Sequence, residues 1–103
     1  MGYLELEQFT LAAGVTRTAF AAVDDAVQAW SYVHRDGLRR RTTAFADDGG
    51  VVVVTLFGTP TPPTPLGLDA PRSSTASIDD GLEALRQVIE PGSYLRRVFE
   101  DRG

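Results

Sequence analysis

The chain has no cysteine, no lysine and no asparagine, and only one histidine. Without cysteine there can be no disulfide, no thiolate metal site and no cysteine nucleophile. A lone His34, with no second histidine at chelating spacing, gives no reason to expect a metal. All ten basic residues are arginine, against fourteen acids. The resulting net charge of −4 and pI near 4.8 argue against nucleic acid as a partner, because phosphate-binding surfaces carry a basic excess. The arginine-only usage is read first as a compositional bias that also favours alanine and glycine. No apolar run reaches membrane-spanning length, and Met1–Glu5 has neither a basic start nor an apolar core. No membrane association is expected, and a cytoplasmic location is.

What remains is a composition of 43% hydrophobic and 23% charged residues, that of a folded globular protein. At 103 residues it makes one domain, 1–103, near the lower limit for a self-sufficient core. The strongest signal is Val51-Val52-Val53-Val54-Thr55-Leu56-Phe57. It has strand length and lies between Asp47-Asp48-Gly49-Gly50 and Gly58-Thr59-Pro60. Val51, Val53 and Phe57 make one apolar side, and Val52, Val54 and Leu56 make another. A strand apolar on both sides is normally covered on both faces of its sheet.

The other elements follow from periodicity. Tyr3 to Leu11 reads as a strand, with Leu4, Leu6, Gln8 and Thr10 on one face and Tyr3, Glu5, Glu7, Phe9 and Leu11 on the other. Thr16 is an N-cap for a helix from about Arg17 to Arg35. Its apolar stripe is Phe20, Val23, Val27 and Trp30, flanked by Ala19, Ala26 and Val33 and continued by His34, while Asp25, Gln28, Tyr32 and Arg35 face away. Gly37 suits the left-handed position that ends such a helix. Leu38 to Ala46 is a second strand and forms a hairpin with Val51–Phe57. The proline-rich stretch 59–76 cannot enter a sheet interior and reads as an extended loop, functional or mobile. Ser77 caps a second helix with Asp79 and Asp80 in its first turn and Ile78, Leu82, Leu85 and Ile89 on its apolar face. Pro91-Gly92 stops it, and Ser93 to Glu100 is the last strand.

The order βαββαβ predicts an α+β, ferredoxin-like fold: a four-stranded antiparallel sheet with both helices on one face and strands one and three in the centre. Two helices cover one face only. A second copy of the chain, sheet against sheet, is the simplest cover for the other, so a homodimer is expected.

Glu5-Leu6-Glu7-Gln8-Phe9-Thr10-Leu11-Ala12-Ala13-Gly14-Val15, the helix with Phe20, Asp36-Gly37-Leu38 with Arg40-Arg41, and Val88-Ile89-Glu90-Pro91-Gly92-Ser93 leading into Arg96-Arg97 together resemble the dimeric α/β barrel superfamily. The resemblance is to its antibiotic-biosynthesis-monooxygenase-like and uncharacterised branches, and it covers most of the chain outside the proline-rich loop. It implies a homodimer whose two sheets form a shared barrel, with a cavity in each subunit between helices and sheet. Enzymes of the superfamily use that cavity for cofactor-independent oxygenation of aromatic molecules or for haem degradation. Haem-degrading members carry an asparagine, a tryptophan and a histidine where this chain has Glu7, Phe57 and no histidine on the second helix. Haem degradation is therefore not expected, and no cofactor is.

Five residues are candidates for the ligand pocket: Glu5, Glu7, Trp30, His34 and Phe57. Of these, Glu7 and His34 are the catalytic candidates, as acceptors of a proton from an aromatic ligand. Each also has a structural reading. His34 can serve the carbonyls at a helix C-terminus. Glu5 and Glu7, roughly 7 Å apart on one strand face, can pair with Arg96 or Arg97 or across the dimer. Trp30 and Phe57 can be plain core. Arg39-Arg40-Arg41 reads as edge protection or salt-bridging to the acidic surface. The function expected is that of a small-molecule-binding protein, monooxygenase-like toward an aromatic metabolite. The alternative is a non-catalytic homodimeric interaction module, with the proline-rich loop docking a partner.

Overall fold

The computed structural model describes residues 2–69 and 80–103. Its elements are β1 (Gly2–Phe9), α1 (Arg17–His34), β2 (Leu38–Phe45), β3 (Val51–Phe57), α2 (Asp80–Val88) and β4 (Leu95–Asp101). The sheet order is β2-β3-β1-β4 with every neighbouring pair antiparallel. This is the ferredoxin-like arrangement expected, with the most apolar strand next to the centre line. The expected start of the second helix at Ser77, Ile78 and Asp79, and the end of the proline-rich stretch, lie outside the described residues.

Register sorts the side chains into two layers. Glu5 pairs with Thr55 and Val98, Glu7 with Val53 and Arg96, and Phe9 with Val51. These residues lie on the face that the helices cover. There Phe9, Val51 and Val53 pack with Phe20 and Val27 of α1 and with Leu82, Leu85 and Ile89 from α2 and its end. Removing that apolar surface from water supplies most of the folding free energy. The opposite face carries Leu4, Leu6, Val52, Val54 and Leu56, all half-buried, with Leu95 and Phe99 exposed on β4. Among the described residues no helix lies over it.

Several boundaries differ from the periodicity reading, each for a hydrogen-bonding reason. β1 stops at Phe9 because Thr10 and Ala12 turn toward the end of α2: Glu90 N donates to Thr10 O at 2.8 Å and Ala12 N to Val88 O at 2.8 Å. Leu11 makes only an isolated bridge to Ile89. β2 gives up Ala46 to the hairpin turn, where Asp48 Oδ1 accepts from Gly50 N. β4 begins at Leu95 because Ser93 is engaged with Thr10 and Glu90.

α1 is capped by Thr16, whose hydroxyl accepts from Ala19 N at 3.1 Å, as expected. Its burial pattern is rotated from the expected stripe. Phe20, Asp24, Val27 and Ser31 are the buried positions, whereas Val33 is 78% exposed and His34 lies outside. Arg35 caps the helix and turns inward instead of facing away, with only 6% of its side chain exposed. Gly37 follows with φ of +75°, and a Cβ there would lie 2.0 Å from Thr59 Cγ2. The backbone therefore needs glycine at this point both for its left-handed conformation and for the close approach of the chain leaving β3.

That departing chain, residues 59–69, forms a strap without helix or strand. Leu68 is buried in the core and Leu66 packs against it, so the strap is anchored at its far end.

Candidate functional site

The strap, the C-terminal end of α1 and the end of β3 enclose a cavity of about 370 Å³. Trp30, His34 and Arg35 come from α1 and its cap, Phe57 from β3, and Thr61 to Leu66 from the strap. A second cavity of about 290 Å³ lies between the strap and β4, lined by Tyr94, Leu95, Arg96, Gly67 and Asp69. Pro65 and Leu66 border both. The strap is thus a partition between two spaces.

Glu5 is the fixed point beneath that partition. It has no exposed surface. Arg35 Nη1 donates to its Oε1 at 2.8 Å and Arg35 Nη2 to its Oε2 at 3.0 Å, while Arg96 Nε donates to Oε2 at 2.8 Å. The same guanidiniums reach past the carboxylate to the strap. Arg35 Nη2 donates to Thr64 O at 3.1 Å and Arg96 Nη2 to Pro63 O at 2.8 Å. Arg35 also lies 4.8 Å over the Phe57 ring. Burial by itself would raise the Glu5 pKa. The hydrogen bonds and charges of Arg35, then of Arg96, outweigh it and hold the carboxyl below its usual range.

Glu7 has a different neighbourhood. It is 4% exposed, and its Oε2 accepts from the Tyr94 hydroxyl at 2.5 Å. Burial and the negative charge of Glu5 push its pKa up to about 7, with the Tyr94 hydrogen bond and the charges of Arg35 and Arg41 pulling the other way. Burial, followed by the charge and hydrogen bond of Glu7, raises the Tyr94 phenol far above its usual value. Tyr94 is itself stacked on Phe9, with ring centroids 6.4 Å apart. The pair therefore presents one carboxyl that changes protonation near neutrality and one phenol that keeps its proton.

Two further groups complete this polar layer. Arg41 Nη2 donates to Asp24 Oδ1 at 2.7 Å in a buried ion pair, so one arginine of the Arg39–Arg41 run serves the interior rather than the edge or the surface. The hydroxyls of Ser31 and Thr55 are fully buried and make no hydrogen bond among the described residues. No group of three or more metal-binding side chains occurs among the described residues.

Of the five sequence candidates, Trp30, His34 and Phe57 line the larger cavity. Glu5 lies behind Arg35, and Glu7 lies behind Tyr94 next to the smaller cavity. His34 is exposed and makes no bond to the helix carbonyls; its ring is tilted against Trp30 with centroids 5.0 Å apart. Arg35, Tyr94 and the strap carbonyls escaped the sequence reading. The available signal for Arg35 was its spacing: Phe20, Asp24, Val27, Ser31 and Arg35 recur every three to four residues along one helix line.

A pH prediction follows from Glu7. Its carboxyl titrates near 7 in the fold against an ordinary 4.5. Between those values the folded chain binds more protons than the unfolded one, so stability falls as pH rises through this window. The loss amounts to on the order of 3 kcal/mol across it. Glu7→Gln removes the titration while keeping an oxygen for Tyr94. Urea unfolding from pH 4.5 to 8 should show the Glu7 contribution flattened in this variant, and the variant more stable than the parent at pH 8.

Comparison of the chain with models of known families, with curated proteins and with solved structures finds no match in any of the three. Among the described residues no helix is long and apolar enough to cross a membrane.

Proposed function

We propose that this is a cytoplasmic, homodimeric small-molecule-binding protein of the dimeric α/β barrel type, whose ligand is a flat aromatic molecule seated in the larger cavity. The observation that carries this reading is the cavity itself. Its volume of about 370 Å³ falls in the range of small-ligand pockets, and Trp30, Phe57 and the prolines of the strap give it rigid apolar patches between polar groups from His34, Arg35, Asp36 and the strap threonines. Aromatic side chains offer large contact area at low conformational cost, and a planar ligand stacks on them. The open sheet face supports the homodimer, because Leu4, Leu6, Val52, Val54 and Leu56 would otherwise stay half wet.

A catalytic version of the same reading rests on Glu7. A carboxyl poised near pH 7 suits proton removal from an acidic aromatic ligand, the step that would make it reactive toward dioxygen without a cofactor. The binding-only version is favoured by a specific placement: both carboxylates are engaged, and neither borders the larger cavity.

Trp30 is the only tryptophan, so intrinsic fluorescence reports directly on this space. Titration with a naphthalene derivative should change Trp30 emission saturably. By calorimetry, Trp30→Ala should weaken the binding about tenfold, the equivalent of about 1.4 kcal/mol. An unresponsive Trp30 at saturating probe would dispose of the cavity reading. Oxygen uptake by the complex, abolished in Glu7→Gln, separates catalysis from binding alone.

A further inference from the structure

Two guanidiniums converge on one carboxylate at the base of the strap. Arg35 and Arg96 both bond to Glu5, so the cluster carries one positive charge more than it neutralises. The side chains of Arg35 and Arg96 are 6% and 19% exposed. A surplus charge held this far from water is unfavourable unless something answers it. The strap answers with the carbonyl oxygens of Pro63 and Thr64, which are dipoles and leave the net charge unchanged.

Of the other ionisable groups nearby, only Glu7 can cancel it, and only in its ionised form. Glu7 faces Tyr94, and its proton comes and goes near neutrality. Asp36 borders the larger cavity and Asp69 the smaller one, both exposed to water and without an ion pair to either arginine among the described residues. Donors are left over as well. Arg35 Nε and Arg96 Nη1 have no hydrogen-bond partner among the described residues. Arg35 borders the cavity that Trp30 and Phe57 line, which places positive charge beside aromatic walls.

We infer that the cavity selects an anionic aromatic ligand, an aromatic carboxylate, over neutral aromatics of the same shape, with the surplus charge of the Arg35–Glu5–Arg96 cluster as the selecting element. This rests on the aromatic-cavity reading above and names the ligand class for it. A guanidinium in a partly buried setting attracts a carboxylate far more strongly than it would in water, and a free N–H adds a charge-assisted hydrogen bond.

The test compares 2-naphthoate with naphthalen-2-ylmethanol, which have the same ring and differ in charge, by calorimetry on the full chain at pH 6 and low salt, where Glu7 is mostly protonated and the probe carboxylate is ionised. The carboxylate is expected to bind at least tenfold tighter. Arg35→Gln and Arg96→Gln each bring the cluster to neutrality and should bring the two probes to within about threefold of one another. Arg96 does not border the larger cavity, and in Arg96→Gln the two Arg35 bonds to Glu5 remain. The Arg96 bond to the strap carbonyl of Pro63 is lost, so the affinity of naphthalen-2-ylmethanol reports any damage to the cavity wall and the ratio of the two probes reports charge. That variant also decides the matter if Arg35→Gln does not fold. Equal binding of the two probes to the parent protein overturns the charge selection and leaves the aromatic cavity standing. Persistence of the preference in Arg96→Gln overturns it too. Failure of both probes to bind the parent removes the aromatic-cavity reading, and the charge selection with it.

Discussion

Glu5→Gln should destabilise the protein by about 3–5 kcal/mol, the cost of leaving buried guanidiniums without their carboxylate. A domain of this size has about 5–15 kcal/mol in total, so the urea midpoint should drop by a large fraction of its value. The amide cannot accept from Arg35 and Arg96 together as the carboxylate does, and its own NH₂ opposes their donors. The damage should extend beyond the core. Arg35 and Arg96 hold the strap only while Glu5 holds them, so residues 61–66 should become a protease site in the variant and remain resistant in the parent. There is a pH signature as well. The folded pKa of Glu5 lies below its ordinary value, so its stabilisation is complete above about pH 4.5 and disappears as pH falls through the lower, folded value. The parent should lose stability in acid through this group, and Glu5→Gln should lack that component. An unchanged midpoint would mean that the cluster carries none of the stability assigned to it.

The second large effect concerns the bare side of the sheet. Val54 lies on β3 between Leu6 and Thr42, in the middle of that face. In a face-to-face pair related by a two-fold axis, Val54→Asp introduces a carboxylate from each copy into a dry interface. The dimer should weaken at least 100-fold, about 2.7 kcal/mol, and sediment as one copy at micromolar concentration. The helices contact only the other layer, so the variant should stay folded by circular dichroism. A parent chain that sediments as a single copy, or a Val54→Asp chain that still pairs, would refute the dimer.

The framework was legible because it depends on local chemistry. β-Branched runs, Thr16, Gly37 and the Asp47–Gly50 turn each act within a few residues, and together they leave βαββαβ as the consistent reading. The site was only half legible. Trp30, His34 and Phe57 could be placed from periodicity and strand ends, since each lies where an element meets the strap. Arg35 was assigned to the surface because a hydrophobic stripe assumes that charge faces water, and for the same reason Asp24 was given no place in the interior. Their partners, Glu5 and Arg41, are distant in sequence, and only the fold brings each pair together. Tyr94 was missed for a related reason. It was read as part of the last strand, which begins only at Leu95, and its significance comes from a carboxyl 87 positions earlier.

The strap is moored through the carbonyl oxygens of Pro63 and Thr64. Every amino acid supplies that atom, so this fastening, unlike the one that Leu66 and Leu68 make further along, is indifferent to the side chains at 63 and 64. Those two residues are thereby free to be exchanged for others that reshape the chamber they wall, while the knot underneath stays tied. A protein built this way can alter the walls of that chamber without renegotiating how it folds.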